Sequence, residues 1–344
     1  MMTKTGAFFS GISDCRQNSR DKGLKILWIF LLLTFLGPAS GRTETLMLGH
    51  TVPPSHVWHK VAEKFAEGME KWSDGKMNVK ISPLSKLGNE AQMLSMLQSG
   101  AIAFSILPAG VLSNREESIL GWFLPYLFND VNQAGAAASL PSARQMLKNL
   151  EPHGIVGLGY MFAGMRHVIS VKAVNSPNDL VNKKIRAFPS SIFNDWWKMN
   201  GAAPTALPLG EIAPSLTTNL LDAVDVDLDI VVGLKFYQQA PYLALTNHMA
   251  FPGILIASKK WWDTLSEKDR NIISTLYHQA EQWGIDAQAN AETANLQILK
   301  KEGVGVANID LDAFKIVGGK ITESYTGKNA LIKTFYQQVK DTTK

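Results

Sequence analysis

The chain has 344 residues, with 34 Lys and Arg against 30 Asp and Glu, one cysteine and 46 % apolar residues. That composition excludes a disordered chain, a collagen-like repeat and a disulfide-stapled mini-fold, and the length leaves one large or two medium domains. The formal charge of +4 invites a nucleic-acid reading, which depends on which residues the working protein keeps.

Residues 26–36 read ILWIFLLLTFL, preceded by Lys4, Arg16, Arg20, Lys22 and Lys25 and followed by Gly37-Pro38 and the small residues Ala39, Ser40 and Gly41. A basic stretch, a short apolar run and a small-residue site describe a secretory signal peptide over 1–41, cut before Arg42. Eleven residues make a helix only ~16 Å long, too short for a ~30 Å hydrocarbon core. The long basic stretch leaves an uncleaved anchor as the competing reading. Removing 1–41 takes away five basic and two acidic residues, which leaves 29 against 28 and no cysteine, since Cys15 goes too. A near-neutral, thiol-free exported chain has no footprint for nucleic acid and no thiol chemistry.

In chain order, 45–49 reads as a strand and 55–72 as an amphipathic helix, with Val57, Val61, Phe65, Met69 and Trp72 on one face. A strand over 77–81, a helix over 90–97 stopped by Gly100, and a strand over 101–107 follow. Such alternation indicates α/β layers. Further strands are expected at 155–162, 167–171, 184–187 and 254–258, with helices at 191–200 and 210–219. Residues 222–232 alternate Asp225, Asp227 and Asp229 with Val226, Leu228 and Ile230, which predicts a strand with the carboxylates on one face. From Ser266 a Ser-x-x-Asp cap opens a helix running to about Lys301, long enough to lie across two lobes.

Catalytic motifs are absent: no G-x-S-x-G elbow, no phosphate loop and no H-E-x-x-H. His56 and His59 share a helix face, with Glu63 a turn on and His50 nearby. The grouping suits a metal, but equally the polar side of an amphipathic helix, and the second reading is preferred. The acidic run 222–229 lacks the glycine and closing glutamate of a calcium loop. Neither metal nor cofactor is expected.

Eight stretches taken in order carry a resemblance: KLGNEAQMLSMLQSGAI (86–102), GWFLPYLF (121–128), GMRHVIS (164–170), PNDLVNKKIRAFP (177–189), NGAAPTALPLGEI (200–212), TTNLLDAVD (217–225), KFYQQAPYLALTNH (235–248) and WWDTLSEKDR (261–270). Together they resemble the dicarboxylate-type substrate-binding proteins of tripartite ATP-independent periplasmic (TRAP) transporters, from Thr45 to about Gly305. The resemblance implies a two-lobed α/β periplasmic binding protein of type II-like architecture, with crossover segments and a long helix spanning both lobes. Lobe 1 would take 42–163 plus 252–291 and lobe 2 would take 164–251 plus 292–344. It also implies a non-catalytic periplasmic protein that closes on a small organic acid and delivers it to a membrane permease. An exported enzyme using Asp225, Asp227 or His167, and a ligand-sensing periplasmic partner, are the alternatives.

Residue by residue, the family's carboxylate-binding arginine falls on Arg186, whose planar donor fork matches a carboxylate. A second family arginine falls on Arg166, which could instead pair with an acid across the lobe. Val226, Leu209 and Pro108 stand where relatives carry polar or aromatic groups. Phe162, Phe188 and Trp196 are candidate walls, with at least one of Trp196 and Trp197 in the core. Apolar walls leave ligand hydroxyls unpaired, at about 1–3 kcal/mol each. The expected ligand is therefore a sparsely hydroxylated acid with an apolar or aromatic body.

Overall fold

The computed structural model describes residues 43–342; the expected export signal at 1–41 lies outside them. The chain opens with β1 (Glu44–Gly49) and α1 (Val57–Trp72), whose cap is His56: its Nδ1 accepts from the Trp58 N–H at 3.0 Å. β2 (Met77–Ser82) leads to α2 (Glu90–Ser99), which starts on a reciprocal Asn89/Gln92 capping box and stops at Gly100 with φ of 82°. Only glycine adopts that left-handed geometry freely, so the stop is written in one residue. β3 (Phe104–Pro108), α3 (Ala109–Leu112), a 3-10 stretch (Glu117–Phe123), α4 (Val131–Ala137), α5 (Pro141–Lys148) and β4 (Ile155–Met165) follow.

Next come β5 (His167–Ser170), β6 (Lys184–Ala187), α6 (Ser191–Met199), β7 (Ala203–Ala206), α7 (Ile212–Thr217), β8 (Ala223–Val226), α8 (Leu228–Gly233) and β9 (Tyr242–Ala244). The chain ends through β10 (Ala250–Ser258), α9 (Lys259–Trp262), α10 (Glu267–Lys301), β11 (Gly305–Val306), α11 (Leu311–Lys328) and α12 (Ala330–Thr342).

Two sheets result, in the orders β2-β1-β3-β10-β4 and β11-β9-β5-β8-β6-β7. In the first, β1, β2 and β3 run parallel and β10 runs against β3 and β4. In the second, β6 is parallel to β7 and β8, while β5 runs against β8 and β9. The chain crosses between sheets at Arg166 and returns before β10. The two crossings are tied together, Arg166 N–H donating to Met249 O at 2.7 Å and His248 N–H to Arg166 O at 3.2 Å.

α10 is the expected long helix, opened by Ser266, whose hydroxyl accepts from the Asp269 N–H at 3.1 Å. It is about 50 Å long at 1.5 Å per residue. Two of its carboxylates hold the main chain of β4: the buried Glu281 accepts from the Tyr160 N–H at 2.7 Å, and the half-buried Glu292 from the Met165 N–H at 2.6 Å.

Three expectations are corrected. The strand predicted over 222–232 stops at Val226, because Asp227 accepts the Ile230 N–H at 2.9 Å and caps α8. The helix predicted over 210–219 is a 3-10 turn at Leu209–Glu211 followed by the short α7. Everything after 292 was expected with the second half. Instead α12 packs on the first, where Phe335 meets Trp122 at 4.7 Å and the Gln338 Oε1 accepts the Ser142 hydroxyl at 2.5 Å.

Candidate functional site

Both sheets turn the C-terminal ends of their parallel strands toward one chamber, the position where open α/β sheets commonly bind ligands. Thr51 and Val52 follow β1, Pro108 ends β3, Phe188 follows β6, Leu209 follows β7 and Val226 ends β8; all line the chamber. His56 and Trp58 reach it from the start of α1, Phe251 from β10, and Ala163 and Arg166 from the crossing. Between them lies a narrow cavity of about 40 Å³ that opens toward solvent. A second, more open groove lined by Asn89, Val111, Asn114 and Pro189 shares Glu90, Arg186 and Phe188 with the chamber, so those three stand at its mouth.

Arg186 is 6 % exposed. Its Nε and one Nη donate to the Leu207 carbonyl at 3.2 and 3.1 Å, which fixes the guanidinium plane. Among the described residues no carboxylate lies within 4 Å of it. Burial first, then the neighbouring charge of Arg166, pull its pKa down to about 10. A buried cation without a counter-ion, on the wall of a cavity, is what an anionic ligand completes.

Arg166 is in the opposite situation, with 2 % exposure. Its Nε donates to Asp225 Oδ1 at 2.6 Å, one Nη to Asp227 Oδ2 at 3.2 Å and the other to the Asp225 carbonyl, while Phe251 lies 4.2 Å under its face. Asp225 also accepts from Trp197 Nε1 at 2.7 Å and lies 3.4 Å from His248 Nε2. Burial pushes the Asp225 carboxyl upward, but Arg166, His248 and Trp197 together hold it well below the usual range. Three of the five N–H donors of Arg166 are thus committed to protein acceptors, and two carboxylates match its charge. It lines the chamber as a rigid, neutralised strut.

Of the side chains read from sequence, Arg186, Arg166, Leu209, Val226, Phe188 and Pro108 meet at this chamber. Phe162 does not. Its neighbour Ala163 lines the wall, and successive residues of a strand face opposite ways, so Phe162 points into the core and packs on Trp122 at 5.6 Å. Trp196 is also a core residue, stacked on His248 at 5.7 Å.

Thr51, His56, Trp58 and Phe251 were missed. The one available signal was at Thr51, just after the strand predicted over 45–49; His56 and Trp58 lie at the start of the helix predicted over 55–72, and Phe251 precedes the strand predicted over 254–258. Trp58 and Phe251 are parallel, with ring centroids 6.1 Å apart.

The histidines form a chain rather than a ligand set. His50 Nε2 meets His59 Nδ1 at 2.9 Å, His59 Nε2 meets Glu63 at 3.2 Å, and His56 faces Asp227 at 3.7 Å. Burial, with the charges of His59 and His56, lowers His50 to about 3. Among the described residues no group of three or more His, Cys, Asp or Glu is arranged to hold a metal, and no helix is long and apolar enough to cross a membrane.

Residues 48–328 match the family described as bacterial extracellular solute-binding protein, family 7. The 2,3-diketo-L-gulonate-binding periplasmic protein YiaO of Escherichia coli K12 is 25 % identical over 296 residues, covering 85 % of this chain and 90 % of its own. A TRAP periplasmic solute-binding protein from Bradyrhizobium sp. BTAi1, solved with galacturonate, is 25 % identical with a TM-score of 0.83, over 87 % of this chain and all of that one. Another from Bordetella bronchiseptica, whose density was taken as pantoate, is 26 % identical with a TM-score of 0.81, over 86 % and 99 %.

Proposed function

This chain belongs to the bacterial extracellular solute-binding proteins of family 7, and from that premise we propose that it is the periplasmic binding component of a TRAP transporter, closing on a small organic acid. The lobes divide at the two linked crossings, 164–166 and 246–250, and carry one sheet each. Ligand contacts from both lobes favour the closed state over the open one, which is how binding becomes a signal to the permease.

The single observation that carries this reading is Arg186, buried at the chamber without a counter-ion. A carboxylate placed there would neutralise it and take up donors left over after Leu207. The apolar wall of Val226, Leu209 and Pro108 supports an acid poorer in hydroxyls than the galacturonate of the Bradyrhizobium protein, and closer to a compact branched acid.

Calorimetry over a panel of small acids, guided by thermal-shift screening, tests the assignment. Arg186→Ala should weaken the best acid by about 2–5 kcal/mol, the range for truncating a buried charge pair. A loss of a few tenths would sink it. The transport role is tested separately: deleting the permease genes should abolish uptake of that acid.

A further inference from the structure

Resting on that acid-binding reading, we propose that the acid is a zwitterion, a small apolar 2-amino acid whose carboxylate sits on Arg186 and whose ammonium sits on Glu90. Both residues line the narrow chamber and the outer groove alike, so they flank its mouth. They come from opposite halves, Glu90 from the first turn of α2 and Arg186 from β6. Each is a charge that the protein leaves open. Among the described residues no cation lies within 4 Å of the Glu90 carboxylate, and Arg186 has no counter-ion. The capping hydrogen bonds of α2 are made by Asn89 and Gln92, so Glu90 is not spent there either. Burial and Arg166 lower the Arg186 pKa, and Glu90 is one of the charges that oppose them, so the two groups face one another without touching. A ligand that carries both signs completes both.

The charge balance of the wall favours a zwitterion over an anion. Among the Arg, Lys, Asp and Glu side chains that line the chamber or pair with its lining, Arg166 and Arg186 stand against Asp225, Asp227 and Glu90. A simple anion adds to that excess of carboxylates, a diacid adds twice, and a zwitterion adds nothing. A polyol fits no better, since Thr51 is the only hydroxyl side chain on the wall. Inward of the mouth, the cavity of about 40 Å³ is bounded by Pro108, Ala163, Val226 and Phe251 among others. That is the space of a few water molecules, and it suits a short branched side chain. Because its two charged partners belong to different halves, the head of such a ligand ties one half to the other and so favours closure.

The test pairs each amino acid with its deaminated acid, valine against 3-methylbutanoate and leucine against 4-methylpentanoate, in both enantiomers of the amino acid. All are titrated calorimetrically into the mature protein, Glu90→Gln and Arg186→Ala. The parent should bind the amino acid of one pair, in at least one enantiomer, about tenfold or more tighter than its partner. Glu90→Gln should shrink that ratio to within about threefold, and Arg186→Ala should lose both members. Should the Gln variant fold poorly, Glu90→Ala, a residue well suited to a helix, gives the same reading. Plain acids that bind as tightly as the amino acids, or a ratio that survives loss of the Glu90 charge, overturn the proposal. If Arg186-dependent binding is found only for plain acids, diacids or sugar acids, this proposal falls and the acid-binding reading stands; if no carboxylate binds, zwitterionic or not, both fall.

Discussion

Two arginines of the same chamber do opposite work, and their environments predict opposite mutant phenotypes. Removing Arg166 strands Asp225 and Asp227 in the interior. Breaking a buried pair from one side costs about 3–5 kcal/mol, so Arg166→Ala should lose about that much in urea or thermal unfolding. Removing Arg186 breaks no ion pair and relieves a buried cation whose pKa is already depressed. Arg186→Ala should keep the parent's unfolding midpoint within about 1 kcal/mol while losing the ligand. If both variants unfolded alike, Arg186 would be structural and its charge irrelevant to binding. Arg186 was legible in the sequence only through the motif KKIRA, and the pairing of Arg166 only as an alternative. Trp58 and Phe251 were illegible, because nothing local to 58 or 251 says that strand ends far apart in sequence converge on one cavity. Phe162 was misread because an aromatic near a motif says nothing of which strand face it takes.

At the level of elements, the Ser266 cap and the run of helical residues made α10 readable almost to the residue. Residues 222–232 were not, since alternation of Asp with Val, Leu and Ile fits a strand and a capped helix equally until Asp227 accepts Ile230 N–H. The helices at 109–148 and 311–342 went unread because most are short and take their stability from tertiary packing.

α10 also carries a pH signature. Glu292, on the Met165 amide beside the crossing, is pushed up to about 7, chiefly by burial and then by Asp229, Asp227 and Asp130, against the pull of the Met165 N–H. A raised carboxyl stabilises the fold while protonated, fully below its ordinary value near 4.5, and that contribution is lost as pH rises through 7. His50 and His167, both lowered to about 3, act the other way and add stability as pH climbs toward 6.5. The parent's profile therefore mixes signs, and the difference from Glu292→Gln isolates the group. The amide still accepts the Met165 N–H, so the variant should gain on the parent by on the order of 1–3 kcal/mol between about pH 4.5 and 7.5 in paired urea melts. A pH-independent difference would refute the assignment.

At the scale of the molecule, the halves meet at a fitted contact. Phe188 of the second half seats against Gly110 of the first, where an added Cβ would stand 2.7 Å from Phe188 Cε1 and 2.9 Å from Cδ1. The ring cannot swing away cheaply, since it packs edge-on to Phe251 at 5.2 Å and Phe193 at 5.8 Å. Overpacking of this kind costs about 1–3 kcal/mol, and here relief comes most easily by holding the lobes apart, because the clash lies between them rather than inside either. Gly110→Ala should therefore leave the ligand-free unfolding midpoint nearly unchanged. It should weaken acid binding by about ten- to hundredfold and reduce the ligand-induced drop in radius of gyration seen by small-angle scattering. Phe188→Leu in the same chain should restore both, since the shorter side chain clears the new methyl. A Gly110→Ala protein that binds and compacts like the parent would mean that the lobes do not close on this contact.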